Sequence, residues 1–335
     1  MLTICIPTYN RRNELEVALN EFARVFGRTV HVVVSDNCST DNTVEYLAAY
    51  AARSPFASFR YVVNERNMGV DFNFLNVVAL SQTEYSILFG SDDAPMPNAP
   101  DLIKEAMADG ADIAVFGRRL CTRSLGRVIG DETYWRGGTR TIRRLESESD
   151  FAEHFDTCIT LAGAFSYISS ILFRKSVWQV DDRVRSYIGS YYVHVAALLQ
   201  GMQSHGSVLL LTEPRPLVCC RLGNDSFIDK GVYRRFEMDW NAFERLAREY
   251  FNGPAARSLR QILRYQCSVY GLLALRYHIL TEGRSGQIEQ VTERLRASDW
   301  GAGPLRRWRI LNFIPFFVLK SVLNARRLFK RGRQD

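Results

Sequence analysis

Short apolar runs alternate with helical segments along the N-terminal part of the chain, and this alternation constrains the fold more than any other feature. Four runs of the length of buried strands predict strands at 2–7, 30–34, 59–63 and 85–89. Apolar residues at helical spacing predict helices over 13–26, 40–48 and 70–80. Strands that alternate with helices form parallel sheets with right-handed crossovers. The sequence therefore predicts an α/β fold, with a mostly parallel central sheet and helices on both faces.

Polar residues follow three of these strands at the point where each strand ends. They lie at 8–10, 36–37 and 92–93. Because the carboxyl ends of parallel strands meet at one edge of a sheet, we expect these residues to converge on one crevice. There Asp36 is placed to hydrogen-bond a base or a ribose, and Tyr9 to pack on the base. An Asx turn before the following helix is the alternative for Asp36.

The adjacent acids Asp92 and Asp93 end a buried apolar run and precede two prolines. Two neighbouring carboxylates repel each other unless a cation lies between them or a ligand donates to them. The pair therefore favours a hard divalent cation, Mg2+ or Mn2+, that shares its coordination with phosphate oxygens. The alternative is an aspartate that caps the helix after Pro97, with its neighbour in solvent.

The composition indicates a globular protein in a reducing compartment. With 335 residues, of which 47% are hydrophobic, the chain is long enough for one large domain or one and a half. Seven cysteines without a Cys-x-x-Cys pair predict neither a disulfide framework nor a zinc site. Met1 leads straight into a predicted strand without a signal-peptide core, so we expect a cytoplasmic protein.

The net charge of +7 comes from the C-terminus. Residues 300–335 hold nine of the 43 Lys and Arg but one of the 36 Asp and Glu, so the rest of the chain is nearly neutral. We therefore expect no nucleic-acid partner and a local anionic partner for this tail. The apolar run 310–319 is too short to cross a bilayer, and with its basic flanks it predicts an interfacial helix on anionic lipid over 308–329. A core helix with a solvated basic end is the alternative.

Several short motifs carry a family resemblance over residues 2–220. They are Ile6-Pro7-Thr8-Tyr9-Asn10-Arg11, Ser35-Asp36-Asn37-Cys38-Ser39-Thr40-Asp41, Asn67-Met68-Gly69 with Asn73, Glu84-Tyr85 and Ser91-Asp92-Asp93. In this order and spacing they resemble the family 2 glycosyltransferases, which have the GT-A fold. Within that family, the sequence motifs around Gly90 and Asn73 are most similar to those of abequosyltransferase-type enzymes of bacterial O-antigen assembly.

The resemblance implies a site for a nucleotide sugar and a metal. The residues that it places around the nucleotide sugar are Pro7, Thr8, Tyr9, Arg11, Asp36, Asn73 and Asp92. Asp92 would bind the ribose or the metal, and Asp93 the metal itself. The family lacks a glycine-rich phosphate loop, and so does this chain. Mg2+ or Mn2+ would therefore neutralise the pyrophosphate.

The resemblance also implies an acid, often within a Glu-Asp pair, that removes the proton from the acceptor hydroxyl. This chain departs from that pattern, because Asp181 and Asp182 are the only acids between Val177 and Gly206. Two alternative candidates for the base are His194 and Asp182. Imidazole titrates near neutral pH and can accept a proton, whereas a hydrogen-bonded structural role is the alternative for His194.

Three regions are expected. Residues 1–220 form the catalytic domain, with a nucleotide-binding half (1–110) and an acceptor half (111–220). Residues 221–300 form a helical extension, and residues 301–335 form a basic amphipathic tail that associates with a membrane.

The expected reaction is a metal-dependent, inverting transfer of a hexosyl or deoxyhexosyl group from a UDP-, CDP-, GDP- or dTDP-sugar. The acceptor is a lipid-linked glycan or a polysaccharide of the O-antigen type in lipopolysaccharide biosynthesis, met at the inner face of the cell membrane. A non-catalytic member that binds nucleotide sugar is one alternative. A sugar nucleotidyltransferase is another, although the glycine-rich basic loop expected after its first strand is absent.

Overall fold

The computed structural model describes residues 1–122, 125–221, 231–298 and 300–321. Its packing divides the chain into two compact units, residues 1–224 and 225–335. The first unit contains the predicted sheet, and the second is helical.

The four strands predicted in the N-terminal part pair in parallel, in the order β3-β2-β1-β4. Their bounds are β1 (Leu2–Thr8), β2 (His31–Asp36), β3 (Ser58–Val63) and β4 (Tyr85–Leu88). The helices that connect them are α1 (Arg12–Phe26), α2 (Thr43–Ala51) and α3 (Val70–Ala79). Each of these elements matches a segment predicted from the apolar spacing.

Strand β1 lies at the centre of this parallel part, and all seven of its residues are buried. A strand covered on both faces is buried in this way. Ile4 and Ile6 of β1 belong to the same hydrophobic core as Leu19 and Phe22 of α1. The register places Thr8, the last residue of β1, beside Asp36, the last residue of β2. The polar segments after these two strands therefore begin side by side.

The second half of the first unit adds six strands and four helices. They are β5 (Ala94–Pro95), α4 (Ala99–Ala108), β6 (Ile113–Cys121), β7 (Val128–Glu132), β8 (Thr141–Leu145), α5 (Glu148–Thr157), β9 (Ile171–Arg174), α6 (Asp182–Arg185), α7 (Val193–His205) and β10 (Val208–Arg221). Strand β9 runs antiparallel between β4 and β6, whereas β6 and β10 are parallel. The α/β class is therefore confirmed, with a sheet that is parallel in its first half and mixed in its second.

The prediction that the cysteines form no disulfide is wrong for one pair. Cys121 and Cys219 are joined in a disulfide, although 98 residues separate them in the sequence. Both lie near the ends of β6 and β10, and the parallel pairing of these strands brings Cys219 level with Arg119, two residues from Cys121. Only the strand pairing makes the two thiols neighbours.

The second unit consists of helices that bury their own core. Their bounds are α8 (Gly231–Tyr250), α9 (Pro254–Ile262), α10 (Val269–Thr281), α11 (Gln287–Ala297) and α12 (Ala302–Asn312). Phe243, Leu272 and Trp308 are among the fully buried side chains. The indole Nε1 of Trp308 donates a hydrogen bond to the Thr292 hydroxyl (3.0 Å). The predicted helical C-terminal region is thus confirmed.

The predicted tail begins with α12, and residues 322–335 of it lie outside the described residues. Trp308 and Leu311 of α12 are buried, so the start of this segment packs as part of the helical unit. Among the helices that the structure describes, none has the length and apolar character needed to cross a membrane.

Helix α7 approaches the backbone around Val177 at a glycine. A Cβ placed on Gly201 would lie 1.7 Å from the carbonyl oxygen of Val177, far inside van der Waals contact. Because the atom it would meet belongs to the backbone, the helix itself must move to accept a larger residue. This contact fixes how closely α7 lies against the 3-10 turn Lys175–Val177.

We therefore expect Gly201→Ala to destabilise the protein by about 3 kcal/mol or more. The thermal midpoint should fall by roughly 6 °C or more in a unit of this size. Gly130→Ala is the matched control, because a Cβ on Gly130 meets no atom within 4 Å. Equal midpoints for the two variants would contradict this account of α7 packing.

Candidate active site

The segments that follow β1 and β2 are hydrogen-bonded to each other. The Asn37 amide donates to the Thr8 carbonyl (2.9 Å), and the Asn10 amide donates to the Ser39 hydroxyl (2.8 Å). The Thr40 amide in turn donates to Oδ1 of Asn10 (2.7 Å). The structure therefore brings together the first two of the three predicted polar clusters.

Asp36 is fully buried at the end of β2. Its carboxylate accepts hydrogen bonds from the Ser39 amide (2.9 Å) and the Ser39 hydroxyl (2.5 Å). These bonds reach three residues along the chain, one more than in an Asx turn, so the carboxylate holds the turn after β2 locally. A contact of Asp36 with a nucleoside stays a prediction. At the end of β1, Pro7 is buried and Tyr9 is 42% exposed. The buried Thr8 hydroxyl has no hydrogen-bond partner among the described residues.

Asn73 ties α3 to the strand ends. Its Nδ2 donates to the Ser35 carbonyl (2.9 Å), and its Oδ1 accepts from the Ser35 hydroxyl (2.6 Å) and from the Asn64 side chain (3.2 Å). The side chain is 3% exposed. Through these contacts Asn73 holds the N-terminal half of α3 against the edge of the sheet. A direct contact of Asn73 with a nucleotide stays a prediction.

The third polar cluster, at the end of β4, is joined to the first by an ion pair. Nη1 of Arg11, in the loop after β1, contacts Oδ2 of Asp92, and both side chains are about one-fifth exposed. A guanidinium against a carboxylate at a partly buried position is a strong, directional contact. Arg11 and Asp92 therefore lie together at the carboxyl edge of the sheet.

Asp93 is buried, and its carboxylate is hydrogen-bonded on one oxygen. The Tyr167 hydroxyl (2.7 Å) and the Ser169 hydroxyl (2.6 Å) both donate to Oδ2. Burial, and then the negative charge of Asp92, raise the pKa of Asp93 to about 7, while the two hydroxyl donors hold it down. The carboxylate is thus poised between its neutral and charged forms near neutral pH.

Gly90 leaves room for both acids. A Cβ at this position would lie 3.0 Å from Oδ1 of Asp92, 3.2 Å from Oδ2 of Asp93 and 3.3 Å from the Ser169 hydroxyl. The Gly90 amide donates to that same hydroxyl (2.9 Å). The two carboxylates therefore approach the same small space above the Gly90 backbone.

This donor set fits a divalent cation that is shared with a substrate. Within the described residues, both hydrogen bonds to the Asp93 carboxylate fall on Oδ2, which leaves Oδ1 for another ligand. No group of three or more His, Cys, Asp or Glu that could enclose a metal occurs in the described parts of the chain. Mg2+ and Mn2+ are commonly held by one or two carboxylates together with substrate phosphates and water. The residues present match that arrangement.

Sequence reasoning missed the residues that surround Asp93 from the second half of the unit. Tyr167 and Ser169 lie in a stretch rich in serine and aromatic residues, and that richness is the available signal. For Arg118, nothing in the surrounding sequence indicated a position near Asp93. Its guanidinium lies 4.7 Å over the Tyr167 ring and pairs with Glu132 (2.8 Å), and its charge lowers the pKa of Asp93.

The two candidate bases differ in exposure. His194 is buried, and burial lowers its pKa to about 4. Its Nε2 lies 3.2 Å from the Ser166 carbonyl, and because a carbonyl only accepts, Nε2 carries the proton. Its Nδ1 is buried without a hydrogen-bond partner among the described residues. Asp182, in contrast, is exposed on the first turn of α6. The structural role considered for His194 matches its surroundings.

Asp71 is a further buried acid that sequence reasoning missed. Its Oδ2 accepts from the amides of Gly189 (2.8 Å) and Tyr191 (2.8 Å), and its Oδ1 accepts from that of Val193 (3.4 Å). The carboxylate on α3 thus holds the segment that enters α7, in which Gly189 and Tyr191 both have positive φ (96° and 69°). Burial raises the pKa of Asp71 to about 7, against the lowering effect of backbone amides in this segment, that of Gly189 first.

Solved structures identify the class of fold. The structure of S. aureus TarS 1-349 in complex with UDP-GlcNAc matches 79% of this chain and 72% of its own, with a TM-score of 0.54 and 14% identity. The mannosyltransferase PcManGT from Pyrobaculum calidifontis, in complex with GDP-Man and Mn2+, matches 97% of this chain and 86% of its own, with a TM-score of 0.53 and 14% identity. The chain has the GT-A fold predicted from its motifs.

Sequence relatives identify the family. Residues 3–169 match the family model for glycosyl transferase family 2. Abequosyltransferase RfbV of Salmonella typhimurium (strain LT2) is 32% identical over 254 residues, which cover 75% of this chain and 76% of that protein. The chain belongs to glycosyltransferase family 2, and it resembles enzymes of the O-antigen type.

Asp71 generates a prediction about pH. Its ordinary pKa is 3.8 and its pKa in the folded protein is about 7, so between these values the folded state keeps a proton that the unfolded state has released. The contribution of Asp71 to the free energy of unfolding therefore falls as pH rises from about 4 to about 7. Asp71→Asn, which does not titrate, lacks this contribution. The thermal midpoint of the natural protein minus that of the variant should decrease from pH 5 to pH 8.

The matched control for this measurement is Asp101→Asn, which removes an exposed carboxylate from the first turn of α4. Its midpoint should stay parallel to that of the natural protein over the same range. Parallel curves for Asp71→Asn as well would show that Asp71 is charged throughout.

Proposed function

We propose that the protein transfers a sugar from a nucleoside diphosphate sugar to an acceptor hydroxyl, with Mg2+ or Mn2+ held at Asp93 and with inversion at the anomeric carbon. The observation that carries this proposal is the one-sided bonding of Asp93. Two hydroxyls bond its Oδ2, and the charge of Asp92 lies beside it. The Mn2+ and GDP-Man bound in PcManGT, which has the same fold, support the proposal.

The nucleoside would bind at the ends of β1 and β2. Pro7, Thr8, Tyr9 and Asp36 would line its pocket. The buried Thr8 hydroxyl supports this placement, because it has no protein partner among the described residues and a buried polar group gains most from a bound partner. Exposed Tyr9 offers a ring on which a base can pack.

The diphosphate would lie against the end of β4. A divalent cation, when bound there, supplies positive charge to the leaving diphosphate. Asp93 would hold that cation through Oδ1, and Arg11 would keep Asp92 oriented and charge-balanced beside it. Asp92 would bind the ribose or share the cation, and Asn73 would hold α3 beside the nucleotide.

The transfer itself is a single displacement. A base takes the proton of the acceptor hydroxyl, the hydroxyl oxygen bonds to the anomeric carbon, and the bond from that carbon to the diphosphate breaks. Exposure favours Asp182 as the base, because the only unprotonated nitrogen of His194 is enclosed in the core. A base must reach its proton within hydrogen-bond distance, and an exposed carboxylate meets that condition more readily.

We propose a lipid-linked or polysaccharide glycan as the acceptor. A relative 32% identical to this chain is named an abequosyltransferase, which supports a hexosyl or deoxyhexosyl transfer in lipopolysaccharide O-antigen assembly. With such an acceptor, the protein would act in the cytoplasm, attached peripherally to the inner face of the cell membrane through its C-terminal region.

Asp93→Asn tests the metal assignment. The amide keeps the shape of the side chain and removes its charge, so we expect sugar transfer to fall by on the order of 1,000-fold. The thermal midpoint without ligand should be unchanged or higher, because a buried charge is lost. The measurement is a thermal-shift series with UDP-, CDP-, GDP- and dTDP-sugars, each with and without Mn2+. One donor class should stabilise the natural protein by about 2.7 kcal/mol at a hundredfold excess over Kd.

The control variant Asp101→Asn should keep both transfer and the Mn2+-dependent shift. A Mn2+-dependent shift that persists in Asp93→Asn would sink the metal assignment. If no nucleotide sugar shifts the natural protein, donor binding itself is wrong. If one shifts it and no sugar is transferred, the non-catalytic alternative is favoured.

Tyr167→Phe tests the bonding of Asp93. It removes one hydroxyl donor from a carboxylate, a contact that contributes about 1.5–3 kcal/mol, so we expect the donor affinity measured with Mn2+ to fall about tenfold or more. Tyr50→Phe is the matched control, because the one hydrogen bond of its buried hydroxyl within the described part of the chain goes to the Leu19 carbonyl (3.3 Å). The two variants can lose similar stability, but only Tyr167→Phe should weaken donor binding. If Tyr167→Phe binds the donor as tightly as Tyr50→Phe does, Tyr167 has no role in the donor site.

A further inference from the structure

Three large apolar side chains near the end of α12 are exposed to solvent. Phe313 is 87% exposed, Phe317 69% and Ile310 57%. Phe313 and Phe317 are the two most exposed aromatic residues among those that the structure describes. Scattered exposed apolar residues are common, but a group of this kind within eight residues marks an interaction surface.

The backbone beneath these residues is anchored. Leu319 is fully buried, and the guanidinium of Arg276 on α10 donates to the carbonyls of Asn312 (3.1 Å) and Ile314 (2.6 Å). The ring of Phe316 stacks on Tyr277, with centroids 5.6 Å apart. These contacts fix the backbone on both sides of Phe313 and Phe317, whose side chains are exposed to solvent.

Exposed basic side chains flank the exposed aromatic residues along the chain. Arg306, Arg309 and Lys320 are exposed, and no acid occurs in the sequence between Trp300 and Gln334. We call the exposed set the aromatic-basic surface; its members are Arg306, Arg309, Ile310, Phe313, Phe317 and Lys320.

We propose that the aromatic-basic surface docks on an anionic lipid bilayer, with Phe313 and Phe317 inserted at the boundary between headgroups and acyl chains. Aromatic side chains enter that boundary, and Lys and Arg around them bind anionic headgroups. The surface lies mostly on residues that pack as part of the helical unit, so docking does not require a separate interfacial helix over 308–329. This inference deepens the proposed peripheral location.

The charge pattern favours lipid over a second copy of the chain. A twofold interface would place the same patch on both subunits, and the basic residues of one copy would then face those of the other on a segment that has no acid between Trp300 and Gln334. Charged residues are also depleted from the centres of protein interfaces. An anionic bilayer supplies both the apolar layer and the opposite charge.

The test measures flotation of the full chain with vesicles of about 30% phosphatidylglycerol in phosphatidylcholine, against vesicles of phosphatidylcholine alone. The natural protein should bind the anionic vesicles at least about tenfold more tightly. The double variant Phe313→Ser, Phe317→Ser should lose at least about tenfold of that binding, because most of the inserted apolar area is gone. Val269→Ser, which changes an exposed apolar residue (52%) on α10, is the matched control and should bind as the natural protein does.

A second variant separates the charges from the aromatic rings. Arg306→Gln combined with Arg309→Gln should weaken binding to anionic vesicles and leave the weak binding to neutral vesicles unchanged, and added salt should have the same effect. Because all four substituted positions are exposed, the thermal midpoints should stay within a degree or so of the natural protein.

Three outcomes would overturn the proposal. They are equal binding to neutral and anionic vesicles, unchanged binding by the double phenylalanine variant, and a dimer of the natural protein that this variant dissociates. A separate readout is the binding of the nucleotide sugar with Mn2+, measured by thermal shift on the same variants. A variant that loses vesicle binding but still binds the donor shows that the surface acts in docking alone. A natural protein that binds vesicles but no donor contradicts the proposed function and leaves the docking proposal standing.

Discussion

The burial of Asp93 beside Asp92 is the constraint on which the candidate site depends. Burial in a low-dielectric environment, and then repulsion by the carboxylate of Asp92, raise the pKa of Asp93 to about 7. The first unit offsets this repulsion from both sides. Tyr167 and Ser169 donate to one oxygen of Asp93, and Arg11 pairs with Asp92. In the proposed function, a cation shared with a diphosphate would complete the neutralisation.

Helix α3 links the end of β2 to the segment that leads into α7. Asn73 bonds the end of β2, while Asp71, two residues earlier on the same helix, receives the amides of the segment that leads into α7. Val193 in that segment is followed by His194, whose Nε2 bonds the Ser166 carbonyl next to Tyr167. A continuous path of contacts therefore runs from α3 to the residues that hold Asp93. Buried polar groups that are bonded in this way specify one packing of the segments that they join.

The helical unit divides the residues of its last helices between core and surface. Trp308 and Leu319 are fully buried, whereas Phe313 and Phe317, which lie between them in the sequence, are exposed. Hydrophobicity alone does not distinguish these four positions, since all four are apolar. Their different exposure comes from the neighbours that α10 and α11 supply, such as Thr292 for the Trp308 indole. The apolar and basic composition of the segment is visible in the sequence, but the outward set of residues is not.

Local pattern was enough to predict the first four strands, the helices between them, the family and the pair of acids at the end of β4. These features depend on periodicity and on motifs within a few residues, which the sequence displays directly. The hydrogen-bond partners of the buried acids Asp93 and Asp71 were missed. Tyr167 lies 74 residues from Asp93, and Gly189 lies 118 residues from Asp71. The disulfide was missed for the same reason. The α/β class, the family and the acids available for chemistry could therefore be predicted from the sequence alone. Which oxygen of Asp93 accepts the two hydroxyl bonds, and which imidazole nitrogen of His194 is enclosed, could not, because both depend on how distant segments pack.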